Sequence, residues 1–147
     1  LLYGSCGIVF LLGSYICGKT IKHTGIYKSL MIGLIIHLLG CLIIVLSHIV
    51  TGGTQIAPTH CGIILIIFGA SFLVSAGIGG TMAPFEDIAG SAFAMIGSYK
   101  FIFAEILGAC IAAIYNNNAL SLGATLMTLN VVAITLMTIY KNRLAEH

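Results

Sequence analysis

The sequence predicts an all-α polytopic membrane helix bundle, and three observations carry that prediction. Hydrophobic residues make up 59% of the 147, only 7% are charged, and mean hydropathy is +1.13. The apolar residues fall in five long runs separated by short polar stretches. The few cations gather beside alternate connections, toward one side of those runs. A soluble domain carries about 25% charged residues. Six Lys and Arg with four Asp and Glu cannot cover a water-facing surface on a chain of this size. Composition therefore argues against a cytosolic enzyme, a nucleic-acid binder and a disordered chain, and leaves lipid as the solvent. A net charge of +2 is too small to imply an anionic partner.

The first run spans Leu1–Gly18 and the second Ser29–Val50. The third spans Cys61–Met82, the fourth Ala92–Tyr115 and the fifth Ala119–Tyr140. Most reach the ~20 residues that a helix needs to cross a hydrocarbon core of about 30 Å. None alternates apolar and polar residues as a membrane barrel strand does. Helices remain as the only spanning structure. The connections read as turns. Gly18-Lys19-Thr20-Ile21-Lys22-His23-Thr24-Gly25 is short and basic, and Thr51-Gly52-Gly53-Thr54-Gln55 with Pro58 is polar and uncharged. Pro84 breaks the chain between the third and fourth runs, and Asn116-Asn117-Asn118 forms a polar turn before the fifth.

Lys19, Lys22 and Lys28 flank the first connection, Lys100 follows the third, and Lys141 and Arg143 follow the last run. The second and fourth connections hold no cation. The positive-inside rule places the basic side, with the C-terminus, in the cytoplasm. The chain opens on Leu inside an apolar run, with no basic leader. A fragment whose upstream part is missing is the expectation. Cys6, Cys17, Cys41, Cys61 and Cys110 lie in or beside apolar runs, with no pair spaced as C-x-x-C. They read as small apolar packing residues rather than a disulfide or metal framework.

Within the runs, Glu105 is the most informative residue. A carboxylate at bilayer depth costs about 2.5–3.5 kcal/mol, so it must face a cavity or a partner. It is either a protonatable or cation-binding group of a cavity, or a neutral acid hydrogen-bonded at a helix interface. Lys100, five residues earlier, lies about 140° around the helix and so does not form the standard i, i+4 pair. It snorkels to the interface or lines the same cavity. His37 is a proton-relay candidate near mid-span. His48, eleven residues on, is about 16 Å away along the axis, too far to share a metal ion with it. Gly90, Ala94 and Ser98 form one ladder of small residues, with Gly97 beside it, and Ala104, Gly108 and Ala112 form another. Such ladders let membrane helices approach closely. Glu86 and Asp87 precede the fourth run, where they oppose the helix dipole. No H-E-x-x-H, C-x-x-C or phosphate-binding glycine loop is present. No cofactor and no catalytic constellation is expected.

Two stretches resemble a known family. Gly18 to Gly25 with Lys28, a glycine, basic residues, a second glycine and a further cation, resembles the basic loop joining the second and third helices of each six-helix half in major facilitator superfamily transporters. Met82-Ala83-Pro84-Phe85-Glu86-Asp87-Ile88-Ala89-Gly90-Ser91-Ala92-Phe93-Ala94-Met95-Ile96-Gly97 is similar to the stretch between the tenth and eleventh helices of the Bcr/CflA drug-resistance subgroup. Gly108 also falls where that subgroup has a glycine. Lys100 and Glu105 depart from its pattern, which has an uncharged polar residue and a small one there. The resemblance implies helices eight to twelve, five of the six in a C-terminal half. It implies a proton-driven efflux carrier for drugs or other small amphipathic molecules in the inner or plasma membrane. Its partner is then the N-terminal half of the same transporter, and Gly18, Lys19, Lys22, Gly25 and Lys28 form a cytoplasmic latch. Orientation alone also explains those lysines. Two other functions remain open at this level: an uptake carrier for a small metabolite on the same scaffold, and a non-transporting membrane subunit or assembly anchor.

Overall fold

A computed structural model of the chain describes residues 2–52, 56–114 and 119–145. The described residues form five long helices and no strand. They are α1 (Leu2–Thr24), α2 (Ile26–Thr51), α3 (Ile56–Met82), α4 (Ala89–Ile114) and α5 (Ala119–Ala145), with a 3₁₀ segment, Ala83–Ile88, between α3 and α4. Four of them, over Gly4–Thr24, Ile26–Thr51, Ile56–Met82 and Ala89–Ala112, are long and apolar enough to cross a membrane. In α5 the apolar stretch among the described residues is shorter, Gly123–Ile139, inside a helix of 27 residues. The described fold is thus all-helical, as composition predicts, with four helices compatible with membrane spans. Its outer surface fits lipid: Leu11, Tyr15, Val50, Ile56, Phe101 and Phe103 are among many large apolar side chains left exposed. Water does not tolerate such a surface in contiguous patches.

The first connection is not the turn that the sequence suggests. α1 continues through Lys19 and Lys22 to Thr24, and Gly25 alone interrupts the helices. Thr20 and Thr24 donate their hydroxyls to the carbonyls of Ile16 and Thr20, at 2.9 Å each, so these residues stay inside the helical ladder. Gly25 takes φ 81°, a conformation that suits a residue without Cβ. Ser29 then donates to the Gly25 carbonyl at 2.9 Å and secures the first turn of α2. At the other end of α2, Gly52 is a left-handed C-cap with φ 65°. Phe85, with φ −120° and ψ 34°, kinks the 3₁₀ segment beside Pro84. The Asn116–Asn118 turn and the side chains of Glu86 and Arg143 lie outside the described residues.

The packing order is α1, α3, α2, α5, with α3 between α1 and α2 and α5 on the far side of α2. The α2–α3 seam is antiparallel and built on two glycine pairs seven residues apart. A Cβ on Gly33 would lie 3.0 Å from the Gly69 carbonyl oxygen, and one on Gly40 would lie 2.7 Å from that of Gly62. Without side chains at these points the two backbones touch, which is how helices gain dispersion contact where lipid removes the hydrophobic drive. A small core of Cys17, Phe72 and Ala76, flanked by Ile21, Leu30 and Phe68, joins α1 to α3. Gly13 on α1 seats the Ser71 side chain. α4 touches this bundle only lightly, and none of its spanning window is buried.

Candidate functional site

α5 docks antiparallel on α2 through three points in one register. Gly123 faces Val45 and Ile44, Asn130 faces His37, and Lys141 lies over the Tyr27 ring, 5.4 Å from its centre. The middle point is polar. The Asn130 amide Nδ2 donates to His37 Nδ1 at 2.7 Å. An amide nitrogen only donates, so Nδ1 is the acceptor and the neutral ring carries its proton on Nε2. The Cys41 thiol, one turn further along α2, lies 3.7 Å from the same Nδ1. Asn130 is 4% exposed and Cys41 fully buried, while His37 is partly buried. His37 and Asn130 each stand eleven residues into their helix, about 17 Å along it, so the cluster sits at mid-depth. The Asn130 Oδ1 is buried and has no hydrogen-bond partner. Gly69 gives α3 its close approach behind His37, where a Cβ would stand 2.6 Å from the His37 backbone nitrogen.

This is where the structure assembles polar groups inside the bundle, and it uses only one of the sequence candidates, His37. Glu105 and Lys100 lie apart from it on α4, both exposed. Lys100 borders a groove of about 330 Å³ with Leu73, Val74, Gly77, Ile78, Thr81 and Ile96. Glu105 has no hydrogen bond or ion pair among the described residues. Gly90, Gly97 and Gly108 have open space where a Cβ would stand, and Ala94 and Ala104 are exposed. The ladders of α4 therefore meet no neighbour within the described bundle. Close glycine packing occurs instead at the α2–α3 seam.

Lys19, Lys22, Lys28 and Lys141 gather at one end, whereas Lys100 stands eleven residues into α4, away from it. Lys141 over Tyr27 brings the α5 end beside the start of α2, where Lys28 lies. Lys19 rests over its own helix, 4.8 Å from the Tyr15 ring centre, while Lys22 and Lys28 are exposed. A Cβ on Gly18 or Gly25 would meet nothing within 4 Å. At the opposite end Ser5 lies 3.5 Å from His60 Nε2, and the Ser47 hydroxyl and His48 Nδ1 are buried without a partner. Among the described residues no three His, Cys, Asp or Glu side chains are grouped to hold a metal ion. The five cysteines are free, with Cys17 and Cys41 buried and Cys61 and Cys110 exposed.

No known protein-family model, curated protein or solved structure matches this chain. Function must therefore be argued from its own residues. Asn130 and Cys41 are the members of the central cluster that sequence reasoning passed over. An amide in the middle of an apolar run is costly unless it is hydrogen-bonded, and that was its available signal. Cys41 is one helical turn from His37, the spacing at which side chains on one face meet.

Proposed function

We propose that this chain contributes helices to a secondary transporter, a proton-coupled efflux carrier for drugs or other small amphipathic molecules. The observation behind this proposal is Glu105, an exposed carboxylate at depth on the one helix that the others leave uncovered. At a cost of about 2.5–3.5 kcal/mol against acyl chains, that carboxylate belongs against water or a partner. A cavity between this bundle and the N-terminal half of the same carrier supplies both. Glu105 would then meet cationic substrate or proton, and Lys100, bordering the α3–α4 groove, would set the charge of the cavity wall. Rocking of the two halves would expose the site to each side in turn. The basic end, with Lys19, Lys22, Lys28 and Lys141, would face the cytoplasm, and the C-terminus with it. The likeness of the Gly18–Lys28 and Met82–Gly97 stretches to the Bcr/CflA subgroup supports the same assignment.

The test is accumulation of a lipophilic cationic dye in cells making the complete carrier, with and without a protonophore. Efflux predicts low accumulation that the protonophore raises to the level of cells lacking the carrier. Equal accumulation in all cells overturns the proposal. The open glycines of α4 favour a second function, a non-transporting subunit whose α4 docks partner helices. That function gives equal accumulation together with co-purification of partner helices in mild detergent.

A further inference from the structure

We propose that His37 and Asn130 form a proton-binding site inside the bundle, in which the Asn130 amide turns over when the imidazole gains its second proton. Three observations carry this. Asn130 Nδ2 donates to His37 Nδ1 at 2.7 Å, so that nitrogen holds a lone pair directed at α5. The other end of the same amide, Oδ1, is buried with no partner. Asn130 is 4% exposed, so water does not satisfy that oxygen. A buried acceptor left without a donor is costly. A half-turn of the amide about its last bond exchanges Nδ2 and Oδ1 and brings the orphaned acceptor to His37.

The step balances simply. A proton delivered by hydronium from the aqueous phase joins the Nδ1 lone pair, releasing a water molecule, and makes the ring an imidazolium with N–H on both nitrogens. The Nδ2–H···Nδ1 bond is lost and an Nδ1–H···Oδ1 bond replaces it. The new bond is charge-assisted, about twice as strong as the neutral one it replaces. No covalent bond other than N–H is made, and no helix needs to move, because the amide keeps its outline when its ends exchange. α5 thus stays docked on α2 in both states.

The surroundings leave this pair to decide the matter. On α2 the Cys41 thiol lies 3.7 Å from Nδ1 and can present either its S–H or its sulfur lone pair. On α3 the neighbour is backbone at Gly69, and the titratable residues of that helix, His60 and Cys61, lie at its start. On α1 the Cys17 thiol is turned to the Phe72 carbonyl at 3.6 Å. On α5 the one titratable group with a described side chain is Lys141, which lies over Tyr27. No carboxylate among the described residues faces the ring. The proton is therefore held by an amide oxygen rather than a counter-ion.

This inference is independent of transport, and its test uses the full chain in lipid bilayers with ¹⁵N-labelled histidine and asparagine side chains. His37 signals are assigned by their disappearance in His37→Gln. As the pH is lowered through and below the range where free imidazoles titrate, both His37 nitrogens should become protonated. The Asn130 amide resonances should shift in the same step. In Asn130→Leu, loss of the charge-assisted bond should demand about tenfold or more proton concentration for the same occupancy. In Asn130→Asp, which keeps an acceptor and fits the same space, the ring should stay protonated to higher pH than in the parent chain. The proposal is overturned if the His37 nitrogens do not change as the pH is lowered. It is equally overturned if they change while the Asn130 amide stays fixed, or if the midpoint is the same in all variants that fold.

Discussion

Along the α2–α3 seam the glycines face backbone, and along α4 they face open space. A Cβ at Gly62 would stand 2.5 Å from Ile44 and 2.9 Å from the Gly40 carbonyl oxygen, whereas at Gly90, Gly97 or Gly108 it would meet nothing within 4 Å. Both regions present small residues at helical spacing to a membrane-like environment. Only the seam has a partner with matching gaps, Gly33 and Gly40 on one helix against Gly69 and Gly62 on the other. Small residues permit close approach without supplying its energy, which comes from the dispersion contacts of a complementary face. The difference teaches that a small-residue ladder marks a surface able to pack, and that the neighbouring helix decides whether it does.

The largest expected effect breaks the seam. In Gly69→Leu the new side chain meets the backbone of Gly33 and His37, neither of which can rotate away. Overpacking of this kind costs about 1–3 kcal/mol or more. Gly69→Leu should lower the unfolding midpoint in detergent, separate α2 from α3, and increase amide exchange along both. Unchanged stability would mean that the seam is not the close backbone contact described. Next comes Glu105→Gln, which tests whether the face of α4 fronts a cavity. In the carrier proposed above, loss of one charged contact to a cationic substrate, about 1.5–3 kcal/mol, should reduce efflux about tenfold or more. Neutral substrates should be affected less. Equal efflux of both classes would leave Glu105 without a cavity role.

Fold and site were legible to different depths. The helical class was readable because one physical quantity, apolar length against bilayer thickness, decides it. The first connection was misjudged because lysine, threonine and glycine signal polarity, which the sequence equates with a turn. In the structure Thr20 and Thr24 bond back to carbonyls one turn earlier, and the helix carries its polarity to Gly25. The seam was hidden for a related reason. Gly33, Gly40, Gly62 and Gly69 are spread among bulky Ile and Leu, and only the antiparallel register of two helices pairs them. His37 stood out as a lone polar residue in an apolar run. Its partnership with Asn130, 93 residues away, depends on how α5 docks, which no local pattern specifies.

A milder pair of substitutions sharpens the comparison from the open side. Gly97→Ala places a methyl group in empty space within an exposed helix. Alanine exceeds glycine in helix propensity by about 0.8–1 kcal/mol. Gly97→Ala should therefore leave the five-helix bundle as stable or slightly more so. Gly40→Ala, with its Cβ 2.8 Å from the Ile66 backbone nitrogen, should destabilise it. Opposite signs from one chemical change would show that the seam is closed and α4 open. In the proposed carrier the Gly97 substitution would become a second probe: lost efflux with an intact bundle would place a partner helix on that face of α4.

The smallest effect concerns a helix that is docked, α5, against the one that is not. Lys141 lies over Tyr27 at the basic end of the bundle, 5.4 Å from the ring centre, and both residues meet solvent there. A cation–π contact at an exposed site contributes about 0.5–1 kcal/mol. Lys141→Met keeps the apolar stem and removes the charge, so it should loosen the last turns of α5 without affecting Asn130 and His37 deeper in the interface. Amide exchange should rise from about Thr138 onward, and the global unfolding midpoint should shift little. Lys100→Met on α4 removes a cation that borders a groove and has no ring beneath it, and should change neither. If the two substitutions behave alike, the end of α5 is held by its apolar side chains alone. The register linking Gly123, Asn130 and Lys141 to α2 would then depend on its first two contacts.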